Sequence, residues 1–363
     1  MPNNPSSDEA QNAKQLALDH PVLLEPVMID KPWGREIWFT GMESRGESLV
    51  IAEHGPVPLS NYLALAPDRL CCDRPMVLLK ILDPSPEPVL GDLYFEVHDK
   101  KREVYVVTNV DEESWPEGNG EIRFGMNQQH RASFADDDAF RAAYLAAVSD
   151  YENIRRATDS GATENPSLEA DLRQAMERFT TVKSVAVGDV VVVPLWVPHS
   201  LQHGVRVVEF QTPNYERYIV SFAQEVLTQD HWDSEHAIAN LKLDAPQEPT
   251  FAEIAPGITR IVAFKDFSVW RVELAPGEAC RPPLSIPYAL CMNVSGGVNV
   301  AGGGDVAGGG DVASGGDVAS GGYVVELPLA AEQACLIPNA ALPLTLSNPA
   351  SVASVSLIAA ASW

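Results

Sequence analysis

GDVVVVPLWVPHSLQH, residues 188–203, opens on a Gly-Asp turn, runs through a valine-rich strand and closes on Pro194, His199 and His203. A second stretch, GDLYFEVHDKKRE at 91–103, shares the Gly-Asp opening. In it Glu96 and His98 stand two apart on a predicted strand, so their side chains leave the same face. Glu103 opens the next strand-forming run, and a hairpin between the two would bring it beside the pair. Two carboxylates and an imidazole are ligand types that suit zinc, iron or manganese. Taken alone, a Glu-x-His followed by an acidic residue also describes a solvated strand face, and it is the second stretch, with His199, that makes a site of it.

Outward from these stretches the chain has an all-β rhythm. MVLLKIL, LYFEVH, EVYVVTNV and EIRFGM follow one another from Met76, each short and broken by Pro, Gly, Asp or Asn. The rhythm is interrupted where Phe140, Tyr144, Ala147, Tyr151 and Ile154 recur at three- and four-residue spacings, the mark of a helix that starts near Asp136. A second helix is predicted after Pro166, with Ser167 as its N-cap and Leu168, Leu172, Met176 and Phe179 as its buried stripe. Strands resume with TVKSVAV, DVVVVPL, GVRVVEFQ and ERYIVSF, and a Pro-rich stretch near 250 reads as a linker. Beyond it a further set of short strands follows, from ITRIVAF to SVSLIAA. The expected organisation is a polar tail at 1–20, an N-terminal domain at 21–250 with helices inserted at about 134–180, and a C-terminal β domain at 251–363. Within the last lies a glycine-rich run, 299–322, whose six-residue period aligns Asp305, Asp311 and Asp317; it reads as an expanded hairpin loop without chemistry.

With 363 residues, 45% hydrophobic and 21% charged, the chain is long enough for two domains and too apolar to be mainly disordered. Fifty acidic against 25 basic side chains give a formal net charge of -25, which repels phosphodiester backbones and anionic lipid, so neither nucleic acid nor a membrane surface is an expected partner. No bilayer-length apolar run and no signal-peptide pattern are present, and a cytoplasmic protein is expected. Five cysteines, including the adjacent Cys71 and Cys72 but no Cys-x-x-Cys, read as reduced thiols.

Gly188, Pro194, His199 and His203 stand at the spacings of the second cupin motif, and Gly91, Glu96, His98 and Glu103 resemble the first, with Glu96 in place of its leading histidine. The chain therefore resembles a cupin. KPWG at 31–34, LLKILD at 78–83, VEFQ at 208–211 and the helical insertion narrow the resemblance to the type I mannose-6-phosphate isomerases. The resemblance implies tandem jelly-roll barrels, mainly β, with Glu96, His98, Glu103 and His199 as ligands of Zn2+, or of Mn2+ or Fe2+. It further implies Lys101, two before Glu103, and Arg217, in TPNYERY, as catalytic residues acting on a sugar or sugar phosphate. His203 would orient a neighbour from outside the ligand set.

Four departures bear on that expectation. Glu96 stands where the family carries glutamine and adds negative charge to the metal shell, the loop from His98 to Glu103 is short, Trp196 replaces a motif glycine, and the approach to the arginine has become TPNYE. A sugar without phosphate fits those changes as well. Aldose-ketose isomerisation through a cis-enediol needs a base near the carbons and a cation near the oxygens, and burial beside a metal is expected to lower the Lys101 pKa toward neutrality. Two alternatives stay open: a mononuclear iron dioxygenase, since His98, Glu103 and His199 form a two-histidine, one-carboxylate face, and a non-catalytic sugar-binding cupin.

Overall fold

The computed structural model describes residues 18–43, 45–52, 55–65, 76–162, 165–227, 229–284, 287–302 and 325–362. The chain is mainly β and forms two compact units, one from residues 28–37 and 80–249, the other from 1–27, 38–79 and 250–363.

The first unit is built from two antiparallel sheets. One has the order Val190–Val193, Glu103–Val110, Val205–Gln211, Leu78–Pro84, Gly34–Trp38, Val27–Lys31. The other runs Thr180–Val185, Gly120–Met126, His199–Leu201, Phe95–Val97, Tyr218–Ser221. Inward-facing residues of both sheets, among them Tyr94, Tyr105, Ile122, Val191, Leu201 and Ile219, form one core. The alternation along the strands decides what lies there. Tyr94, Glu96 and His98 share the inner face, while Phe95 and Val97 face the opposite way into a second core made with helices.

Those helices enter and leave through one hairpin. Gly120–Met126 pairs with Thr180–Val185 from Gly120 opposite Val185 to Met126 opposite Thr180, and the chain between them forms the helical insertion. Its long helix, Asp137–Asp159, starts where the sequence pattern puts it, with the Asp136 carboxylate accepting from the Ala139 N–H. Phe140, Tyr144, Val148 and Tyr151 are its buried residues; Val148 rather than Ala147 holds the central turn. The second helix, Pro166–Glu177, is capped by Asn165 instead of Ser167, with Pro166 in its first turn where the missing N–H costs nothing. Leu168 is exposed, because the helix touches the core through its C-terminal half, at Leu172 and Met176, and through the following Phe179. A short helix, Ser234–Asn240, which the sequence pattern did not indicate, adds Ala237 and Ile238 to the same core.

The other unit holds a nine-stranded sheet and a four-stranded sheet around Val272, Leu274, Cys291, Val300, Leu346 and Ile358. Within it Val22–Glu25 is sandwiched between Ala334–Pro338, with Leu23 opposite Cys335, and Leu49–Ala52, with Leu23 opposite Ile51. Val22–Glu25, which the sequence reading joins to the N-terminal domain, thus pairs with a late strand, and Leu49–Ala52 joins the same sheet through it. Local patterning identifies a strand but carries no information about a partner some 300 residues away. Val298–Gly302 and Val325–Leu329 pair with Gly302 opposite Val325. The glycine-rich run between them, the 1–17 part of the expected tail, and Cys71 and Cys72 lie outside the described residues. Among the described residues no helix is long and apolar enough to cross a membrane.

The two Gly-Asp motifs need glycine for different reasons. Gly188 has φ +94 in the turn whose Asp189 carboxylate accepts from the Ala186 N–H, whereas a Cβ on Gly91 would lie 1.9 Å from the Ser85 carbonyl oxygen and 2.7 Å from the His203 Cβ. Gly188→Ala is expected to cost about 1–2 kcal/mol, the ordinary left-handed penalty. Gly91→Ala is expected to cost more because backbone must move, so urea unfolding should rank wild type above Gly188→Ala and both above Gly91→Ala.

Candidate metal centre

Three short strand segments converge on one point inside the first unit. Phe95–Val97 lies between His199–Leu201 and Tyr218–Ser221, so Glu96 stands directly opposite both His199 and Ile219. Glu103, at the start of its strand, stands opposite Val193 and Gln211 in the other sheet. One ligand-type atom from each of Glu96, His98, Glu103 and His199 lies within 4.8 Å of every other. His98, Glu103 and His199 are buried and Glu96 is half-buried.

The turn from His98 to Glu103 is held from outside. The Glu216 carboxylate accepts from the Asp99 N–H at 2.7 Å and the Lys100 N–H at 3.0 Å, and the Thr212 hydroxyl accepts from the Arg102 N–H at 3.1 Å. TPNYE is therefore the clamp of the ligand turn, a role that the bare segment did not announce. On the other side the Trp196 N–H donates to the His98 carbonyl at 2.9 Å. Trp196 has φ +64, so the backbone keeps the glycine-type conformation although the residue is tryptophan. Stacking on Tyr218, at 5.6 Å and 8° between planes, offsets that cost of about 1–2 kcal/mol.

His199 Nδ1 lies 3.1 Å from the Val197 carbonyl and Nε2 3.1 Å from Glu103 Oε2; without a metal Nε2–H can donate to Glu103, and with Nδ1–H donating to Val197 the Nε2 lone pair is free for a cation. His98 Nε2 lies 3.4 Å from Glu96 Oε1 and 3.3 Å from Glu103 Oε2. Neither ring nitrogen of His98 nor Glu96 Oε2 makes a hydrogen bond. Buried polar atoms left like this call for a partner. A divalent cation bound by two imidazoles and two carboxylates would supply one, so the donor set fits a metal of the zinc, manganese or iron kind.

Lys101 contacts Glu103 Oε1 directly and lies 3.8 Å from Glu96 Oε1. Burial alone would lower its pKa, as the sequence reading expects, but Glu103, Glu96 and Glu209 outweigh burial and hold it above the ordinary lysine value. That direction belongs to the side chains by themselves, whereas the sequence expectation concerns Lys101 beside a bound cation. Burial likewise works to raise the Glu96 carboxyl, and Lys101, His98 and Arg217 overcome it and hold it below the usual carboxylate range. Glu103 is held low against burial by Lys101, His98 and His199, and it also accepts from the Tyr105 hydroxyl at 3.1 Å. Glu209 behaves in the opposite way. Burial pushes it well above the carboxylate range, and Glu103, to which it is hydrogen-bonded, adds to the shift. Lys80 stands behind it, 3.9 Å from Glu209 and donating to Gln211 Oε1 at 2.9 Å.

Arg217 lies over the Tyr94 ring, 4.3 Å from its centroid, and its charge reaches Glu96. Tyr94, Glu209 and Glu216 were not singled out by the sequence reading; counting back by two from Glu96 along its strand finds Tyr94, whereas Glu216 has no local signal. His203 does not orient a ligand. It bonds Asp92 at 2.8 Å through Nδ1 and stacks on Trp115, 4.8 Å between ring centroids.

No family model matches the chain, and no curated protein matches its sequence. Solved structures do match its fold. The mannose 6-phosphate isomerase of Bacillus subtilis superposes with a TM-score of 0.62 at 15% identity, covering 93% of this chain and 99% of that one. A mutant phosphomannose isomerase of Salmonella typhimurium gives 0.64 at 9% identity, covering 94% and 100%. The chain has a phosphomannose isomerase-like, cupin-type fold, and at these identities the likeness is one of fold.

Lys101 is the cation on which both site carboxylates lean when no metal is bound. Lys101→Met, followed by urea unfolding in the presence of chelator, is expected to lose about 3–5 kcal/mol, the usual consequence of stripping one partner from a buried ion pair. A loss below about 1 kcal/mol would mean that Glu103 finds its compensation elsewhere.

Proposed function

We propose that the chain is a metal-dependent aldose-ketose isomerase acting on a sugar phosphate, with Glu96, His98, Glu103 and His199 as ligands of zinc, or of manganese or iron. The observation that carries this reading is the group of four ligand-type atoms within 4.8 Å of one another, two of them His98 and Glu96 atoms of residues with unbonded polar positions, inside a phosphomannose isomerase-like fold.

The metal, when bound, supplies Lewis-acid stabilisation of charge on the substrate oxygens as the enediol forms. The chain's own residues do the rest. His199 is fixed in orientation by its bond to the Val197 carbonyl, and Glu103 by Tyr105 and Lys101. Lys101 is the proton carrier of this proposal. It holds its proton because Glu103 and Glu96 face it, and a lysine whose neighbouring carboxylates give charge to a cation is held less tightly to that proton. Arg217, half-buried over Tyr94, is the cation assigned to the substrate phosphate or to the developing oxyanion. Glu96 in place of glutamine leaves the centre more negative and weakens its pull on a substrate oxygen.

The two-histidine, one-carboxylate face of His98, His199 and Glu103 also suits iron and oxygen chemistry, but Glu96 Oε1, 3.4 Å from His98 Nε2, occupies part of the room that oxygen and a second substrate would share. Protein purified without chelator or affinity metal is expected to carry about one divalent ion per chain by elemental analysis and to interconvert aldose and ketose phosphates, and His199→Ala is expected to lose both. A wild type free of metal would overturn the reading, and iron with substrate-dependent oxygen consumption would replace it with the oxygenase. Glu96→Gln is expected to keep the metal and to raise kcat by up to about tenfold, or about 1.4 kcal/mol.

A further inference from the structure

Beneath the helical insertion, on the face of the five-stranded sheet that points away from the metal centre, lies a cavity of about 40 Å³ lined in part by Tyr144, Tyr151, Arg173, Glu177, Phe95 and Ser200. A single water needs roughly 10–15 Å³ of such space, so the cavity has room for about three waters or one small ion. It is too small for a sugar phosphate.

Its polar groups are unevenly satisfied. Tyr144 and Tyr151 are each 1% exposed, and neither hydroxyl has a hydrogen-bond partner. Buried phenols ordinarily find one. Arg173, half-buried on the Pro166–Glu177 helix, makes no hydrogen bond or ion pair among the described residues. The acids of the cavity are already committed. Glu177 lies 3.3 Å from Arg123, and Asp92 accepts from His203 at 2.8 Å. The Ser200 hydroxyl donates to the Leu93 carbonyl at 2.8 Å, and that of Thr180 to the Glu177 carbonyl at 2.9 Å. Arg123 and Arg173 balance Glu177 and Asp92 in formal charge, and the groups left without a hydrogen bond are one guanidinium and two phenolic O–H groups, three sets of donors facing one cavity.

We propose that this cavity binds a small tetrahedral oxyanion, of phosphate or sulfate size, through the Arg173 guanidinium and the Tyr144 and Tyr151 hydroxyls. The site is separate from the isomerase reading and does not depend on it. It does share its strands, since Ser200 follows His199 and Phe95 precedes Glu96 in the chain, so the ion sits against the reverse face of the segments that carry two of the metal-ligand candidates.

The test is thermal unfolding and titration calorimetry of the full chain with inorganic phosphate and with sulfate, against chloride at matched ionic strength. Wild type should be stabilised progressively with the logarithm of phosphate concentration, as a ligand bound only by the folded state requires. Arg217→Ala should respond like wild type, which separates this ion from any phosphate held at the proposed substrate site. Arg173→Gln, which removes the half-buried guanidinium and keeps most of its length, should weaken phosphate binding at least tenfold, and Tyr151→Phe should weaken it severalfold. Four results would overturn the proposal: no response in wild type, an undiminished response in Arg173→Gln, a response abolished by Arg217→Ala, or a Tyr151→Phe variant that is more stable at every phosphate concentration with its phosphate affinity unchanged.

Discussion

Burying Glu103 is the constraint from which the interior of the first unit follows. Its side chain is 1% exposed, and a carboxylate so placed must be compensated almost completely or it will not stay ionised. The compensation comes from every side: Lys101 on one oxygen, Tyr105 and His199 on the other, His98 close by. A third carboxylate, Glu209, lies behind it, pushed well up by burial and by Glu103, to which it is hydrogen-bonded, with Lys80 as the cation beyond. Glu36, 3.8 Å from Lys80, and Lys31, 3.4 Å from Glu36, continue the alternation of sign. Such a chain of charges tolerates no change of strand register, because a slip of one residue would turn Glu103 and Tyr105 out of the barrel and Val104 into it.

The same constraint explains why very short strands suffice for the site. Phe95–Val97 and His199–Leu201 have three residues each, yet both faces of each are covered, the inner by the barrel core and the outer by the inserted helices. Phe95 and Val97 are held by Phe140, Tyr144 and their neighbours, so the intervening Glu96 has little freedom to leave the interior. The insertion is thus part of the site's support. It can be so large because it leaves from and returns to two paired strands, which keep their register whatever is placed between them.

Most of the architecture was legible because it rests on short-range periodicity. Glu96 and His98 at a spacing of two, the three-and-four rhythm from Phe140 to Tyr151, and the Asp136 cap are local signals, and the structure has each of them in place. What was hidden depends on groups distant in sequence. The carboxylates that face Lys101 were only partly legible, because Glu96 and Glu103 are its neighbours in sequence while Glu209 lies more than a hundred residues away. Glu216 as the clamp of the 98–103 turn lies more than a hundred residues from the N–H groups it accepts from. Trp196 looked like a lost glycine, although the backbone there has kept the glycine conformation and Tyr218 supports the ring that replaced it.

The pairing of Val22–Glu25 between Ala334–Pro338 and Leu49–Ala52 has a consequence for the order in which the molecule is made. On a ribosome, Leu23 emerges long before Cys335, and chain is produced at about 5–20 residues per second, so for tens of seconds the early strand and its 38–79 companions have no late partner to complete their sheet. The unit that carries the four-residue cluster, whose last strands end near residue 221, can close during that interval. Synthesis can therefore proceed with the first unit closed while the Val22–Glu25 edge still awaits Ala334–Pro338. That interval, rather than any weakness of the finished protein, is when this chain would lean most on chaperones.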